Sequence, residues 1–320
     1  MIPATRRSAL GLGALATAGA VLGSPSAAFA SAPALERAAP ATPAQAARLA
    51  GQVYVRETRA AGGNWQALVT VAGTNEVVAV ADQPDTVVEA YSVNKIALAI
   101  AVLDKVDRRA LSLSQRVTVS AGVAAGDGDG IFRLDGAYPS AVTLGHVLSA
   151  LLTVSDDVAA RLCGDLVPTA EVNRILAAKG FRQTRLQPTG NPNRFYLGRT
   201  TPRETHTLLR RLVAGKLLSP SSTQAILSRL RSPIAFTDGI RKEMSSLERG
   251  RIATKAGWWG DGRHEVGVIF GRSGRPVLTY AIFANGQAGA GNFGATHPAV
   301  RARARMGRAF IDAVSGLAGV

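Results

Sequence analysis

Residues with strand character lie near both ends of this chain, and helix-like residues fill the stretch between. That distribution constrains the fold more than any other feature. Residues 65–71 and 76–80 alternate or run apolar around Gly73-Thr74-Asn75, which predicts a β-hairpin. At the other end, 251–257, 264–271 and 277–284 are β-rich and joined by glycine-rich turns. Between them, 143–152, 156–166, 170–179, 202–213 and 221–231 carry helical patterns with a cap or breaker at one end, such as Gly180 or the Thr201-Pro202 start. Further helices are expected at 44–60, where Leu49, Val53 and Val55 mark an apolar side, and at 298–317. The expected architecture is therefore α/β (α+β): an antiparallel sheet from both ends of the sequence, flanked by N- and C-terminal helices, with an inserted all-α lobe. Residues 44–90 and 250–320 form the α/β lobe of one domain, 44–320, and 91–249 form the helical lobe. A cleft is expected between the two.

The first thirty residues stand outside that fold. Thr5-Arg6-Arg7-Ser8-Ala9-Leu10 opens a modestly apolar run to Val21, and Ala28-Phe29-Ala30 is a small-residue cleavage pattern. This pattern predicts a twin-arginine signal peptide over 1–30, with the mature protein secreted or on the cell-envelope exterior. The run is too short and too rich in glycine to hold a bilayer permanently. Residues 31–43 are a Pro/Ala-rich tether. Replacing Arg6 and Arg7 by Lys is expected to retain the protein in the cytoplasm; unchanged secretion of that variant, read by cell fractionation, would refute the route.

Lysine and arginine number 37 against 22 acidic residues. No basic cluster interleaved with aromatics marks a nucleic-acid site, so the excess reads as a solvated surface and nucleic acid is not an expected partner. The single cysteine, Cys163, rules out an intramolecular disulfide. It sits in an apolar helical pattern and reads as a small buried side chain. The Gly126-Asp-Gly-Asp-Gly130 run reads as a turn, since Ile131 and Phe132 stand where a calcium loop needs oxygen ligands. The four histidines lack paired ligand spacing, and neither a metal nor a cofactor is expected.

Chemistry concentrates around Ser92-Val-Asn-Lys95, directly before the apolar run 96–103. The pattern places Ser92 at a helix N-terminus and Lys95 one turn along on the same face. A serine hydroxyl needs a base, and a lysine kept partly neutral by burial can supply one. Lowering a lysine from about 10.4 to about 7–8 costs roughly 3–5 kcal/mol. Alone, the motif more often marks an N-cap serine followed by a solvated lysine. Two further groups change its weight. Ser155-Asp156-Asp157 follows an apolar helix and reads as a turn into the cleft, and Lys255-Ala256-Gly257, followed by Trp258-Trp259, lies on the first strand of the final sheet. In that arrangement Ser92 attacks a carbonyl and Lys95 takes its proton. Ser155 relays the proton to the leaving nitrogen, and Lys255 adds positive charge. Backbone N–H groups of Ser92 and Trp258 would form the oxyanion hole, with Asp157 and Gly257 beside the substrate.

These motifs, in this order, resemble class A β-lactamases within the penicillin-recognising serine hydrolases. The resemblance also rests on Gly128-Asp-Gly-Ile-Phe-Arg-Leu134, Thr143-Leu-Gly-His-Val-Leu148, Thr200-Thr201-Pro202 and His264-Glu265-Val266-Gly267. It implies the β-lactamase/transpeptidase-like fold and a monomeric enzyme that opens a small β-lactam, or a peptidoglycan-like substrate, through an acyl-Ser92 intermediate. Ser92, Lys95, Ser155 and Lys255 are its implied catalytic residues, and Asp157, Gly257 and Trp258 its substrate-binding ones.

Three positions depart from that pattern. Asp157 stands where the family has Asn, and its charge favours protonated Lys95 and Lys255. Ala256 lacks the hydroxyl that usually meets a substrate carboxylate. No Asp or Glu occurs from 172 to 203, where the family places the carboxylate that activates the deacylating water. Residues 186–201 read instead as a long polar loop, a kind more often functional than idle. A penicillin-binding, peptidase-like or esterase-like acyl-serine enzyme with slow deacylation is therefore an alternative, as is a non-catalytic cell-wall binding protein on the same scaffold. A Ser-His-Asp hydrolase is disfavoured: there is no Gly-x-Ser-x-Gly elbow, and His146 and His206 fall within helical patterns.

Overall fold

The computed structural model describes residues 40–72 and 76–317. The predicted signal peptide, the tether to residue 39 and the expected turn at 73–75 lie outside the described residues. Helix α1 (Pro43–Ala61) begins at Thr42, whose side chain accepts from Gln45 N while the Gln45 side chain returns to the cap backbone. Strands β1 (Asn64–Val71) and β2 (Val77–Asp82) pair antiparallel. A two-residue strand β3 (Val88–Glu89) leads into a 3₁₀ turn at Tyr91–Asn94, and α2 (Lys95–Asp107) follows. Then come β4 (Arg116–Val119), the one-turn α3 (Ala121–Ala124), β5 (Ser140–Thr143), α4 (Leu144–Thr153), α5 (Asp157–Leu166) and α6 (Thr169–Ala178). Strands β6 (Arg185–Pro188) and β7 (Phe195–Thr200) precede α7 (Pro202–Val213), α8 (Pro220–Leu230) and the short α9 (Ser246–Arg249). The chain closes with β8 (Ile252–Trp259), β9 (Gly262–Phe270), β10 (Pro276–Asn285) and α10 (Pro298–Ser315).

The main sheet runs β2-β1-β10-β9-β8, all antiparallel, so the two ends of the sequence meet at the β1–β10 pair. Side chains alternate across it, and both faces are covered. On one face Ile269, Tyr280 and Ile282 pack with Val53 and Tyr54 of α1 and Met306 and Phe310 of α10. On the other, Val266, Val268, Ala281 and Phe283 join the helical core. Helix α2 runs through the middle of that core and is buried from Lys95 to Asp104. A helix apolar on every side has nowhere else to go.

Two expectations require correction. Ser92 does not begin the α-helix: it lies in the 3₁₀ turn, and α2 starts at Lys95. Left-handed backbone at Tyr91, φ +46°, breaks the helix one residue before Ser92. Residues 186–201 are not an irregular loop. They carry the β6–β7 hairpin, and β3 pairs with β7 to make a three-stranded sheet. The helical region also holds the β4–β5 ribbon.

Candidate active site

Strand β8 is the edge of the main sheet, so one side of its backbone lacks a strand partner and lies against the Ser92 turn. The approach is close because Gly257 has no side chain. A Cβ there would stand 2.9 Å from Val93 N, 3.0 Å from Ser92 N and 3.0 Å from Ala90 O. The turn is fixed from its other side as well. Asn94 Nδ2 donates to Leu197 O at 2.7 Å and Arg199 O at 3.1 Å, and Ala90 N donates to Gly198 O at 2.7 Å. Half-buried Ser92 is thus held between β7 and β8.

The Ser155 turn supplies the third side. Ser155 has φ +59°, a conformation that costs about 1–3 kcal/mol for a residue with a side chain and persists only when its surroundings over-determine it. Here they do. Asp156, fully buried, caps α5 through Ala159 N at 2.8 Å and accepts from Ile131 N at 2.7 Å and Phe132 N at 2.9 Å. Asp157 Oδ2 accepts from Asp129 N at 2.8 Å. Gly128 and Gly130 permit this docking, since a Cβ at either would fall on the Asp157 or Asp156 side chain. The Gly-Asp-Gly-Asp-Gly run, read as a simple turn, is the clamp that holds the Ser155 turn. Asp156→Ala would leave the buried Ala159 N–H and the part-buried Ile131 and Phe132 N–H groups without their acceptor and is expected to destabilise by about 3 kcal/mol in urea unfolding. A loss under about 1 kcal/mol would show that the clamp is not needed.

Four of the sequence-derived residues converge. Lys95 Nζ donates to Ser155 O at 2.5 Å and to Asp157 Oδ1 at 2.6 Å, and lies 3.2 Å from Ser155 Oγ. Lys255 Nζ is 3.0 Å from the same Oγ and donates to Ala256 O at 2.7 Å. Among the described residues, no hydrogen bond joins the Ser92 hydroxyl to Lys95; the lysine is turned toward Ser155. Burial lowers the Lys95 pKa from its ordinary 10.5, while Asp157 opposes that fall. Lys255 is pushed well below 10.5 by burial and then by the positive charge of Lys95. Two ammonium groups sharing one hydroxyl in a closed site favour a state with fewer protons than two free lysines carry.

A cavity of about 220 Å³ opens beside Ser155 and Lys255 and is also lined by Phe236, Asp238 and Trp258. The Phe236 and Trp258 rings meet at 5.5 Å. Phe236 and Asp238 were not legible as site residues, because the segment carrying them has no pattern of its own. Tyr91, stacked on His264 at 5.2 Å, was missed as well. His264 is itself fully buried, with a pKa lowered to about 3 by that burial. Cys163 is buried and raised to about 12, far from thiolate chemistry at neutral pH.

The fold that carries this arrangement is shared with known proteins. The β-lactamase from Sphaerobacter thermophilus is 25% identical, with 83% of this chain and 97% of that one covered and a TM-score of 0.68. A β-lactamase from Xanthomonas campestris is 20% identical, with 85% and 99% covered and a TM-score of 0.70. PBP-A is also 20% identical, with 84% and 96% covered and a TM-score of 0.65. At 20% these last two likenesses speak for the fold alone. No curated protein sequence matches the chain. The model of the β-lactamase enzyme family, however, matches residues 47–314, which take in the Ser92 turn, the Ser155 turn and the Lys255 strand together, and the chain belongs to that family.

Proposed function

We propose that this protein is an exported serine acyl-hydrolase that opens a β-lactam amide through an acyl-Ser92 intermediate. The observation that carries the reading is the Ser155 hydroxyl held between Lys95 Nζ at 3.2 Å and Lys255 Nζ at 3.0 Å. A neutral Lys95 has two N–H bonds, which suit the Ser155 carbonyl and the Asp157 carboxylate. Its lone pair is then free to accept a proton. In the proposed step Ser92 Oγ forms the bond to the carbonyl carbon and its proton passes to Lys95. The tetrahedral oxyanion is met by the Ser92 and Trp258 N–H groups. As the C–N bond breaks, the proton travels through Ser155 Oγ to the departing nitrogen.

Intact-mass measurement after incubation with a penicillin, followed by peptide mapping, tests this reading. One acyl adduct on the Ser92 peptide is expected. An adduct on another residue, or neither adduct nor hydrolysis with penicillins and activated esters, would overturn it.

A second reading, a penicillin-binding enzyme that deacylates slowly, is favoured by one observation. Where a hydrolytic carboxylate would be sought, the chain has a β-hairpin without Asp or Glu. The same adduct forms in both readings, and its lifetime separates them.

A further inference from the structure

A second cavity, about 990 Å³, is larger than the one beside Ser155. It lies between α6 and the β3-β7-β6 sheet and is lined by Arg174, Arg182, Arg185, Arg199 and a single carboxylate, Glu89. In the sheet register Glu89 faces Arg199, and Arg199 faces Arg185, so the three occupy one cross-strand row. Like charges placed directly opposite destabilise a sheet. Here the Arg185–Arg199 pair is offset only by Glu89 on the other side of Arg199. The ion pairs of the neighbourhood go to Arg174 (Glu171, 3.6 Å), Arg194 (Asp165, 2.6 Å) and Arg203 (Asp85, 2.6 Å). Among the described residues, none goes to Arg182, Arg185 or Arg199. Glu204, the carboxylate beside Arg182, directs its oxygens to the backbone N–H groups of Arg182, Gln183 and Thr184.

The groove is also held in shape before anything binds. Asn173 of α6 clamps β6 by donating to Leu186 O and accepting from Leu186 N, both at 2.9 Å. With Arg174 paired to Glu171, three guanidinium groups stand against the one lining carboxylate and leave a local excess of two positive charges. Opposed strand residues have Cβ atoms about 4.5–5.5 Å apart, a separation one tetrahedral anion can bridge. A carboxylate fills a single guanidinium fork and brings one charge. A phosphate offers more oxygens and can engage two forks at once.

We propose that this groove is a binding site for phosphate-bearing polyanions, separate from the acyl-transfer site and on the far side of the Ser92 turn. Free polyphosphate and phosphodiester polymers share the chemistry it recognises. The site does not depend on acylation of Ser92.

Calorimetric titration of the full mature chain with inorganic tripolyphosphate, and separately with a glycerol-phosphate oligomer, tests the assignment. Saturable binding of at least one probe is expected, weakening as salt screens the exposed charges. Arg185→Gln with Arg199→Gln should weaken it at least tenfold. The control is Arg272→Gln with Arg275→Gln, which removes the same charge from the exposed β9–β10 turn, outside the groove lining, and should change affinity less than twofold. Preference for one probe identifies the source of the phosphate. Equal losses in both double variants would reduce the effect to net charge and overturn the site, as would the absence of saturable binding at low salt. Circular dichroism of each variant confirms that the comparison is between folded proteins.

Discussion

Ser92→Ala is expected to abolish covalent labelling by a penicillin or an activated ester and to cut hydrolysis by at least about 10⁴-fold. The fold should survive. No side-chain hydrogen bond caps the 3₁₀ turn, so the lost hydroxyl costs less than the roughly 1 kcal/mol of a true N-cap. Labelling that persists in a folded variant would move the nucleophile elsewhere. The pH dependence adds a check with a defined sign. Acylation should rise with pH as Lys95 loses its proton, with a midpoint below the ordinary 10.5 because burial disfavours the ammonium. Asp157 holds the proton on Lys95 through the 2.6 Å contact. Asp157→Asn should therefore move the acylation limb to lower pH, and an upward shift would contradict the role given to that carboxylate.

The second large effect concerns release of the acyl group. Deacylation needs a positioned water and a base, a contribution of about 10²–10⁴-fold. No carboxylate occurs from 172 to 203, and Asp157 already commits one oxygen to Lys95 and the other to Asp129 N. Glu89, the acid nearest in sequence to Ser92, lines the arginine groove. The expected result is a fast burst of acylation followed by turnover slower by at least about a hundredfold. Stopped-flow hydrolysis with parallel mass spectrometry measures both phases. Burst-free turnover without a trapped acyl-enzyme would show that a base is present, with Asp157 and Glu89 the residues to replace first.

Much of this arrangement was legible in the sequence, for identifiable reasons. The sheet from both chain ends and the helices at 202–213 and 298–315 carry strong periodicity and explicit start signals. Thr201 and His297 cap those two helices, with Pro202 and Pro298 in the first turn. Lys95, Ser155, Asp157 and Lys255 were legible because four chemically matched residues in order are rarer than any one motif. What failed was local. The hairpin at 185–200 has Arg, Gln and Pro where strands usually show apolar alternation, because it pairs in a small sheet with much of its surface in water. The clamp at 126–132 was obscured because its work is done by the backbone N–H groups of Asp129, Ile131 and Phe132, which no side-chain pattern reveals. The 3₁₀ turn depends on the positive φ of Tyr91, a residue type that gives no warning of it.

The Asn94 anchorage has a consequence for motion. Leu197, Gly198 and Arg199 all spend carbonyl oxygens on the segment that carries Ser92. To swing outward, the hairpin would have to break these bonds together and strand a buried amide. The floor under the nucleophile should accordingly open only in large cooperative fluctuations, with the Ala90 amide among the slowest to exchange its hydrogen for deuterium. Solvent arriving at an acyl-Ser92 ester would then come from another side, such as the cavity lined by Ser155, Lys255 and Trp258. The ring nitrogen freed when a β-lactam opens stays tethered to the acyl group, so the lifetime of the ester should lengthen with the bulk that the opened ring leaves on that side.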